Sequence, residues 1–183
     1  MKKLLVIGAI TLSTLVIIGL LVNIGPKDEQ TVEVTMLNNA GDSGGTVKLT
    51  ETKAGVLMQL NLTGLTPDAE HGFHVHQTAK CSPQNSFKDA GGHFNPHDSA
   101  HGMKHPEGQH AGDMPNLRPN DKGEINTSIL NINVTLRKEN AEKGRATLFD
   151  ADGSSLMVHA NADDHMSQPS GAAGPRILCG EIK

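Results

Sequence analysis

The feature that most constrains this chain is a dense run of histidines between His71 and Asp113. Eight of the ten histidines in the 183-residue chain lie in this segment. Each imidazole brings polar nitrogens that need partners, so a cluster this dense does not suit an ordinary apolar core. Neutral imidazole is also the commonest protein ligand for metal ions. We therefore interpret the segment as the centre of a metal site.

One part of the run has the spacing of ligands on a strand. His74 and His76 are separated by a single residue, and residues two apart on a strand face the same side, so both side chains can bind one ion. His159 lies at the end of a later strand pattern, S-L-M-V-H, from which it can return to this pair. These three histidines predict one metal-binding set.

The second part of the run has the spacing of a ligand-gathering loop. Its candidate ligands are His93, His101, His110 and Asp113. Their irregular intervals fit no helix, but they suit a loop that folds around an ion and collects ligands from distant positions. Three imidazoles and one carboxylate form a closed tetrahedral set that is suited to zinc.

The remainder of the domain predicts an all-β fold, because several segments alternate apolar and polar residues with the period of half-buried strands. We predict strands at 31–37, 46–52, 56–62, 72–77, 124–136 (one or two strands), 144–149, 155–160 and 176–182. Two long irregular loops, 78–120 and 161–175, separate some of them, and no soluble helix is expected. Seven or eight short strands with turn signals indicate an antiparallel sandwich or barrel.

The N-terminal segment predicts export from the cytoplasm. Residues 4–25 carry no charge and follow Lys2 and Lys3. This apolar run is longer than the about 7–15 residues of a signal peptide and reaches the about 20 residues of a membrane-spanning helix. We favour an uncleaved hydrophobic helix at 1–25 over a cleaved signal peptide. The lysines then place the following domain outside the membrane, with 26–30 as a linker and 31–183 as the functional domain.

Composition removes some function classes and suggests a covalent link. The chain has a net charge of −4 at pH 7 and no basic patch, which argues against nucleic-acid binding. Its aromatic residues are four Phe, with no Tyr or Trp, so stacking platforms for bases or sugars are not expected. Two cysteines, Cys81 and Cys179, follow the export segment, and an even number in that context suggests a disulfide.

Five motifs together resemble the copper–zinc superoxide dismutase family, in a form similar to its bacterial members. They are G-F-H-V-H, G-H-F-N-P, the His101/His110/Asp113 spacing, M-V-H-A-N-A-D-D and G-P-R-I-L-C-G, and the resemblance covers nearly all of 31–183. The resemblance implies an eight-stranded antiparallel Greek-key β-barrel, with 78–120 as the metal loop and 161–175 as the electrostatic loop. It also implies an enzyme that dismutates superoxide to O₂ and H₂O₂ and carries one copper and one zinc per chain.

The resemblance further implies a role for individual residues. The implied copper ligands are His74, His76, His93 and His159, and the implied zinc ligands are His93, His101, His110 and Asp113. His93 would bridge the two metals, and Asp163 would link a copper-ligand histidine to a zinc-ligand histidine. Cys81 and Cys179 match the family's disulfide pair. Arg176 matches an arginine at the mouth of the copper site, so His93 and Arg176 are the expected catalytic residues.

Some residues depart from the family pattern. Between Asp164 and Arg176 the chain has no Lys, Arg, Asp or Glu, so steering of superoxide by charges in that loop is not expected. Three further histidines match no ligand position, and we interpret them as solvated loop residues, with weak extra copper capture as the alternative; they are His97, His105 and His165. His71 is interpreted as a polar residue at a strand end.

Two other functions compete with the enzyme. One is a non-enzymatic copper- and zinc-binding module on a membrane anchor, and the other is a structural domain that binds zinc alone. Histidine at all four copper positions favours the enzyme. The expected partners are superoxide and the membrane, and a homodimer is left open.

Overall fold

A computed structural model of the protein describes residues 30–141 and 144–183. Nine strands lie in these ranges: β1 (Thr31–Asn38), β2 (Ser43–Glu51), β3 (Val56–Leu62), β4 (Phe73–His76), β5 (Ile125–Asn131), β6 (Val134–Thr135), β7 (Ala146–Thr147), β8 (Ser154–His159) and β9 (Arg176–Ile182). A short helix, α1 (Lys138–Ala141), and two 3₁₀ turns, Pro83–Asn85 and Lys88–Ala90, complete the secondary structure described. Across these two ranges, no helix has the length and apolar character needed to span a bilayer. The predicted anchor at 1–25 and residues 26–29 of the predicted linker lie outside them.

Seven strands form one curled antiparallel sheet. Their order across the sheet is β4-β8-β9-β1-β2-β3-β5, and a separate parallel pair joins β6 to β7. The chain leaves β3, crosses to the far end of the sheet to form β4, and returns to pair β5 with β3, which is a Greek-key type of connection. The all-β prediction is confirmed. Where the resemblance implied eight strands, the described residues form nine, seven in this sheet and two in the short pair.

Two details of the predicted secondary structure change. The segment predicted at 124–136 divides into β5 and β6, and β6 pairs with β7 instead of extending the sheet. The expectation of no soluble helix is wrong for Lys138–Ala141, although this helix has four residues and is too short to show a helical period in the sequence. The strands at Val56–Leu62 and Arg176–Ile182 have the predicted bounds.

The core is formed by the inward-facing positions of the alternating strands. Along β3, burial alternates with exposure from Met58 to Leu62, because successive strand residues point to opposite faces. The neighbouring strands contribute buried aliphatic and Met side chains in the same way, including Val34, Met36, Val47 and Leu49. Each such side chain stabilises the fold by about 1.5–3 kcal/mol relative to leaving it in water. This core gives the metal loop a rigid sheet to pack against.

The predicted disulfide is confirmed. Cys81, in the loop after β4, is bonded to Cys179 in β9, with a Cα–Cα distance of 5.6 Å and a sequence separation of 98 residues. Both sulfurs lie in a small apolar cluster that includes Phe87 and Met157. The disulfide therefore attaches the start of the metal loop to a central strand of the sheet, next to the strand end that carries Arg176.

Candidate metal centre

Strand β4 and the metal loop are joined by backbone contacts. His76 forms an isolated β-bridge with His93, and His74 forms another with Asp113. Between them, the Val75 backbone N–H donates to Gly112 O at 2.9 Å, and its carbonyl accepts from the Phe94 N–H at 2.8 Å. The loop thus runs along the edge of β4 and brings its histidines to the side chains of the H-x-H pair.

The predicted first set is assembled in the structure and is buried. Its members are His74, His76, His93 and His159, and each offers one ligand atom within 4.8 Å of the others. Backbone carbonyls orient two of the rings, because Nδ1 of His76 donates to Gly91 O and Nδ1 of His159 donates to Gly174 O, both at 3.0 Å. The Nε2 atoms of these two rings therefore face each other at 3.4 Å. We call this group the four-histidine set.

The predicted second set is also assembled, around the carboxylate of Asp113. Its members are His93, His101, His110 and Asp113, all buried, with ligand atoms within 4.8 Å of one another. The Nδ1 atoms of His93, His101 and His110 lie 3.0, 3.1 and 3.3 Å from Asp113 Oδ1. The other oxygen, Oδ2, accepts backbone N–H groups from Gly102 at 2.8 Å and His110 at 3.0 Å, which holds the carboxylate in place. We call this group the His–Asp set.

His93 belongs to both sets. Its Nδ1 faces Asp113, so its Nε2 is left for the four-histidine set. The ring is stacked on that of His74, with 3.9 Å between the centroids. A single imidazole therefore separates the two groups of ligands, as the resemblance implied for a bridging residue.

Asp163 connects the two sets through a different route. Its Oδ2 lies 2.8 Å from His74 Nε2 and its Oδ1 lies 3.0 Å from His101 Nε2. His74 belongs only to the four-histidine set and His101 only to the His–Asp set. The structure thus places Asp163 where the resemblance expected a linking carboxylate.

Three of the ring nitrogens that remain without partners fit two bound ions. Five buried ring nitrogens have no hydrogen-bond partner among the described residues, and two of them, His71 Nε2 and His165 Nδ1, lie outside both sets. The other three are His74 Nδ1, His93 Nε2 and His110 Nδ1. A buried polar atom without a partner costs about 1–3 kcal/mol, and a metal ion would remove that cost. Of these three, the first two belong to the four-histidine set and the third to the His–Asp set. All-nitrogen ligation suits copper, and three imidazoles with one carboxylate suit zinc.

The protonation states also favour metal binding. Burial lowers the pKa of His74 to about 3 and that of His159 to about 4, and it lowers the pKa of His76 and His93 as well. These rings are therefore neutral at pH 7, with lone pairs available for a metal. His101 differs, because its hydrogen bonds to the carboxylates of the site outweigh its burial and raise its pKa to about 9.

Both carboxylates of the centre are held in the ionised form. Burial alone would raise the pKa of Asp113 and of Asp163, but hydrogen bonds from histidines, with His101 first in each case, hold both pKa values far below the ordinary range. The metal-free centre therefore contains two ionised carboxylates beside the protonated ring of His101. Binding of a cation at the His–Asp set must displace that proton.

Arg176 lies beside the four-histidine set at the start of β9. Its guanidinium donates to Phe87 O at 2.5 Å and to Gly91 O at 2.6 Å. Gly91 O is the same carbonyl that accepts from His76 Nδ1. Burial is the largest cause of the lowered pKa values of His76 and His159. Electrostatic interaction with His93 and with the guanidinium of Arg176 lowers both pKa values further. The guanidinium is thus fixed at a position where its field reaches the set.

Histidines outside the two sets differ in their surroundings. His71 is fully buried, and its Nδ1 lies 2.7 Å from the carbonyl of His159, so its description as a strand-end residue missed a buried contact with the site. No local pattern signals this contact, because His159 is 88 residues away in the sequence. His97 is exposed, as expected for a solvated loop residue, and His105 is partly exposed. His165 is also partly exposed, but its backbone N–H donates to Asp163 Oδ1 at 2.6 Å.

Comparisons with known proteins agree with this centre. The sequence model of the family described as "Copper/zinc superoxide dismutase (SODC)" matches residues 43–182. The chain is 43% identical over 164 residues to "Superoxide dismutase [Cu-Zn] 2" of Aquifex aeolicus, covering 90% of this chain and 93% of that protein. The crystal structure of a SOD-like protein from Bacillus subtilis, 33% identical, matches with a TM-score of 0.76 over 82% of this chain and 97% of the other.

A second solved structure extends the comparison. The Cu/Zn superoxide dismutase from Brucella abortus matches with a TM-score of 0.65 at 29% identity, over 84% of this chain and all of that chain (100%). The match to the family model, over residues 43–182, spans the metal loop and both ligand sets. The chain belongs to the copper/zinc superoxide dismutase family, and it is an enzyme with superoxide as its substrate and copper and zinc as its cofactors.

Proposed function

We propose that this chain dismutates superoxide outside the cytoplasmic membrane at two adjoining metal sites. The proposed copper ligands are His74, His76, His93 and His159, and the proposed zinc ligands are His93, His101, His110 and Asp113. The observation that carries the proposal is the sharing of His93 between a set made only of nitrogens and a set that includes a carboxylate. Zinc has no redox chemistry, so the division assigns electron transfer to the four-histidine set and structural support to the other.

When bound, copper supplies the reversible one-electron change that dismutation needs. The chain's own residues hold and orient the ligand rings, and one of these rings can carry a proton. The backbone carbonyls of Gly91 and Gly174 fix the His76 and His159 rings through their Nδ1 atoms. His93 Nε2 has no hydrogen-bond partner among the described residues. This nitrogen can therefore hold a proton beside the reacting oxygen species, while Asp113 keeps the ring in place from the opposite side.

Arg176 is the proposed binding group for the superoxide anion. Its two hydrogen bonds to the backbone hold a permanent positive charge beside the four-histidine set, where a small anion can be attracted and oriented. Focusing of charge in a cleft raises association rates by about 10- to 1,000-fold and is weakened by salt. The loop residues that precede it, Asp164 to Pro175, carry no Lys or Arg, so we assign the local attraction to this arginine.

The proposed location is extracytoplasmic, with residues 1–25 as a membrane anchor and 31–183 as the domain outside. The Cys81–Cys179 disulfide supports an oxidising compartment, because disulfides are rare in the reducing cytosol. The uncharged run at 4–25 behind two lysines supports export. Membrane fractionation with N-terminal sequencing tests this, since a soluble mature protein starting near Lys27 would replace the anchor with a cleaved signal. The homodimer also stays a prediction, for sedimentation to test.

The competing proposal is a metal-binding module without turnover. The test is to load the purified full chain with copper and zinc, measure the bound metals, and follow superoxide decay. We expect one copper and one zinc per chain, and a Cu(II) absorption band that bleaches on reaction with superoxide. Full occupancy without superoxide decay would favour the module. Zinc binding without copper uptake would favour a structural zinc domain and would overturn the proposed assignment of the four-histidine set.

A further inference from the structure

Two side-chain amides connect the metal loop to the loop at 161–175. Gln168, in the second loop, accepts the His101 backbone N–H at its Oε1 (2.9 Å) and donates from Nε2 to the His101 carbonyl (3.0 Å). Asn116, near the end of the metal loop, accepts the Asp163 backbone N–H at its Oδ1 (2.9 Å) and donates from Nδ2 to the Asp163 carbonyl (2.8 Å). The two loops therefore hold each other by reciprocal pairs of hydrogen bonds.

Each amide satisfies both backbone groups of one residue, as a neighbouring β-strand would. A single hydrogen bond leaves a residue free to pivot, whereas two bonds to the N–H and C=O fix its position and its orientation. The two residues held in this way are the ones whose side chains meet, with His101 Nε2 lying 3.0 Å from Asp163 Oδ1. Both loops are irregular in this region, so these amides supply pairing that the sheet does not provide here.

The same contact reaches the second ligand set. Asp163 Oδ2 lies 2.8 Å from His74 Nε2, so the position of the Asp163 backbone also determines how the His74 ring is oriented. His101 Nδ1, on the opposite edge of its ring, lies 3.1 Å from Asp113 Oδ1. A displacement of either backbone would thus move one ligand in each set.

We propose that Gln168 and Asn116 are positioning residues that hold His101 and Asp163 in the geometry required for zinc binding, and that they transmit this geometry to His74. The proposal rests on the assignment of His101 to the zinc site. It goes beyond that assignment because neither amide is a metal ligand, and both act through the backbone of a residue on the other loop. Residues that orient metal ligands typically change metal affinity by about 10- to 100-fold when they are removed.

The test compares the full-length protein with Gln168→Met and Asn116→Leu, which keep side-chain size and remove both hydrogen-bonding groups. Gln84→Met is the matched control, because Gln84 is exposed in the same metal loop. The metal-free proteins are titrated with zinc against a chelator, and with Co²⁺, whose visible absorption reports the ligand geometry of the zinc site. Thermal unfolding without metal is measured in parallel.

We expect zinc affinity to fall by about 10-fold or more in each variant, with an altered Co²⁺ spectrum, and to remain unchanged in Gln84→Met. The double variant should lose less than the product of the two single losses, because both amides act on one contact. After copper loading, the Cu(II) spectrum should also shift, since His74 is linked to Asp163.

Two results would overturn the proposal. The first is unchanged zinc affinity and an unchanged Co²⁺ spectrum in both single variants of a parent protein that binds zinc. The second is a lowered unfolding temperature with unchanged zinc affinity, because it would reduce the amides to a structural role. If the parent protein itself failed to bind zinc, the proposed function and this inference would both be wrong. Either of the two results above, in a parent that binds zinc, would refute this inference alone.

Discussion

Gly171 provides a sharp test of the contact between Asp163 and His101. It lies in the loop at 161–175 with a φ of +67°, and a Cβ added there would overlap Asp163 Oδ1 and lie 2.6 Å from His101 Nε2. Gly171→Ala must therefore displace the carboxylate, the ring or the loop. Gly64 offers a control, because it has a φ of +78° and a Cβ added there meets no atom within 4 Å.

The magnitude follows from two separate costs. An alanine in the left-handed region costs about 1–2 kcal/mol, and both substitutions include this cost. Gly171→Ala additionally disrupts the hydrogen bond between Asp163 Oδ1 and His101 Nε2. A hydrogen bond to a charged group contributes about 1.5–3 kcal/mol, so the total loss should be about 2.5–5 kcal/mol for Gly171→Ala and about 1–2 kcal/mol for Gly64→Ala.

The assay is urea unfolding of the metal-free full-length proteins at pH 7, followed by zinc titration against a chelator. The extra 1.5–3 kcal/mol corresponds to about 10- to 150-fold if it appears in zinc affinity. Gly64→Ala should leave zinc affinity unchanged. Equal losses of unfolding free energy in the two variants, with equal zinc affinity, would refute the argument that this glycine exists to make room for the Asp163–His101 contact.

Three other predictions concern charge, covalent linkage and protonation. Arg176→Gln should lower the rate constant for superoxide decay severalfold or more and flatten its salt dependence, with metal content unchanged. The decay of pulse-generated superoxide gives this rate constant, and an unchanged value would assign the attraction to other residues. Replacing Cys81 and Cys179 by Ser should lower the free energy of unfolding by up to about 4–5 kcal/mol, since the closed loop spans 98 residues. Urea denaturation under non-reducing conditions measures this loss, and a loss below about 1 kcal/mol would contradict the prediction. Because the pKa of His101 is raised from 6.5 to about 9, zinc binding at pH 7 should release about one proton, and zinc affinity should rise with pH up to about 9. Calorimetry in buffers of different ionisation enthalpy measures the released proton, and the absence of any release would contradict this prediction. The same shift stabilises the metal-free fold fully below pH 6.5, and that contribution is lost as the pH rises through about 9.

Much of the fold could be predicted because strand periodicity is a local property. The alternation predicts the strands at Val56–Leu62 and Arg176–Ile182 with their observed bounds. The alternation in 124–136 predicts strand structure there, but it does not specify a division into β5 and β6. The parallel pairing of β6 with β7 had no local signal, because a strand's partner depends on the path of the whole chain.

The sequence by itself determined which residues could bind metal. The separation of His74 and His76 by one residue places both on one face of a strand, and the family motifs identified the remaining candidates. Only the tertiary structure decided which nitrogen each ring presents, since that choice depends on carbonyls and carboxylates that are remote in sequence. His74, for example, presents Nδ1 because Asp163, 89 residues away, occupies its Nε2. The bonds from Gln168 to His101, across 67 residues, and the burial of His71 were likewise invisible in the sequence, because a hydrogen bond between distant residues leaves no periodic pattern in the chain.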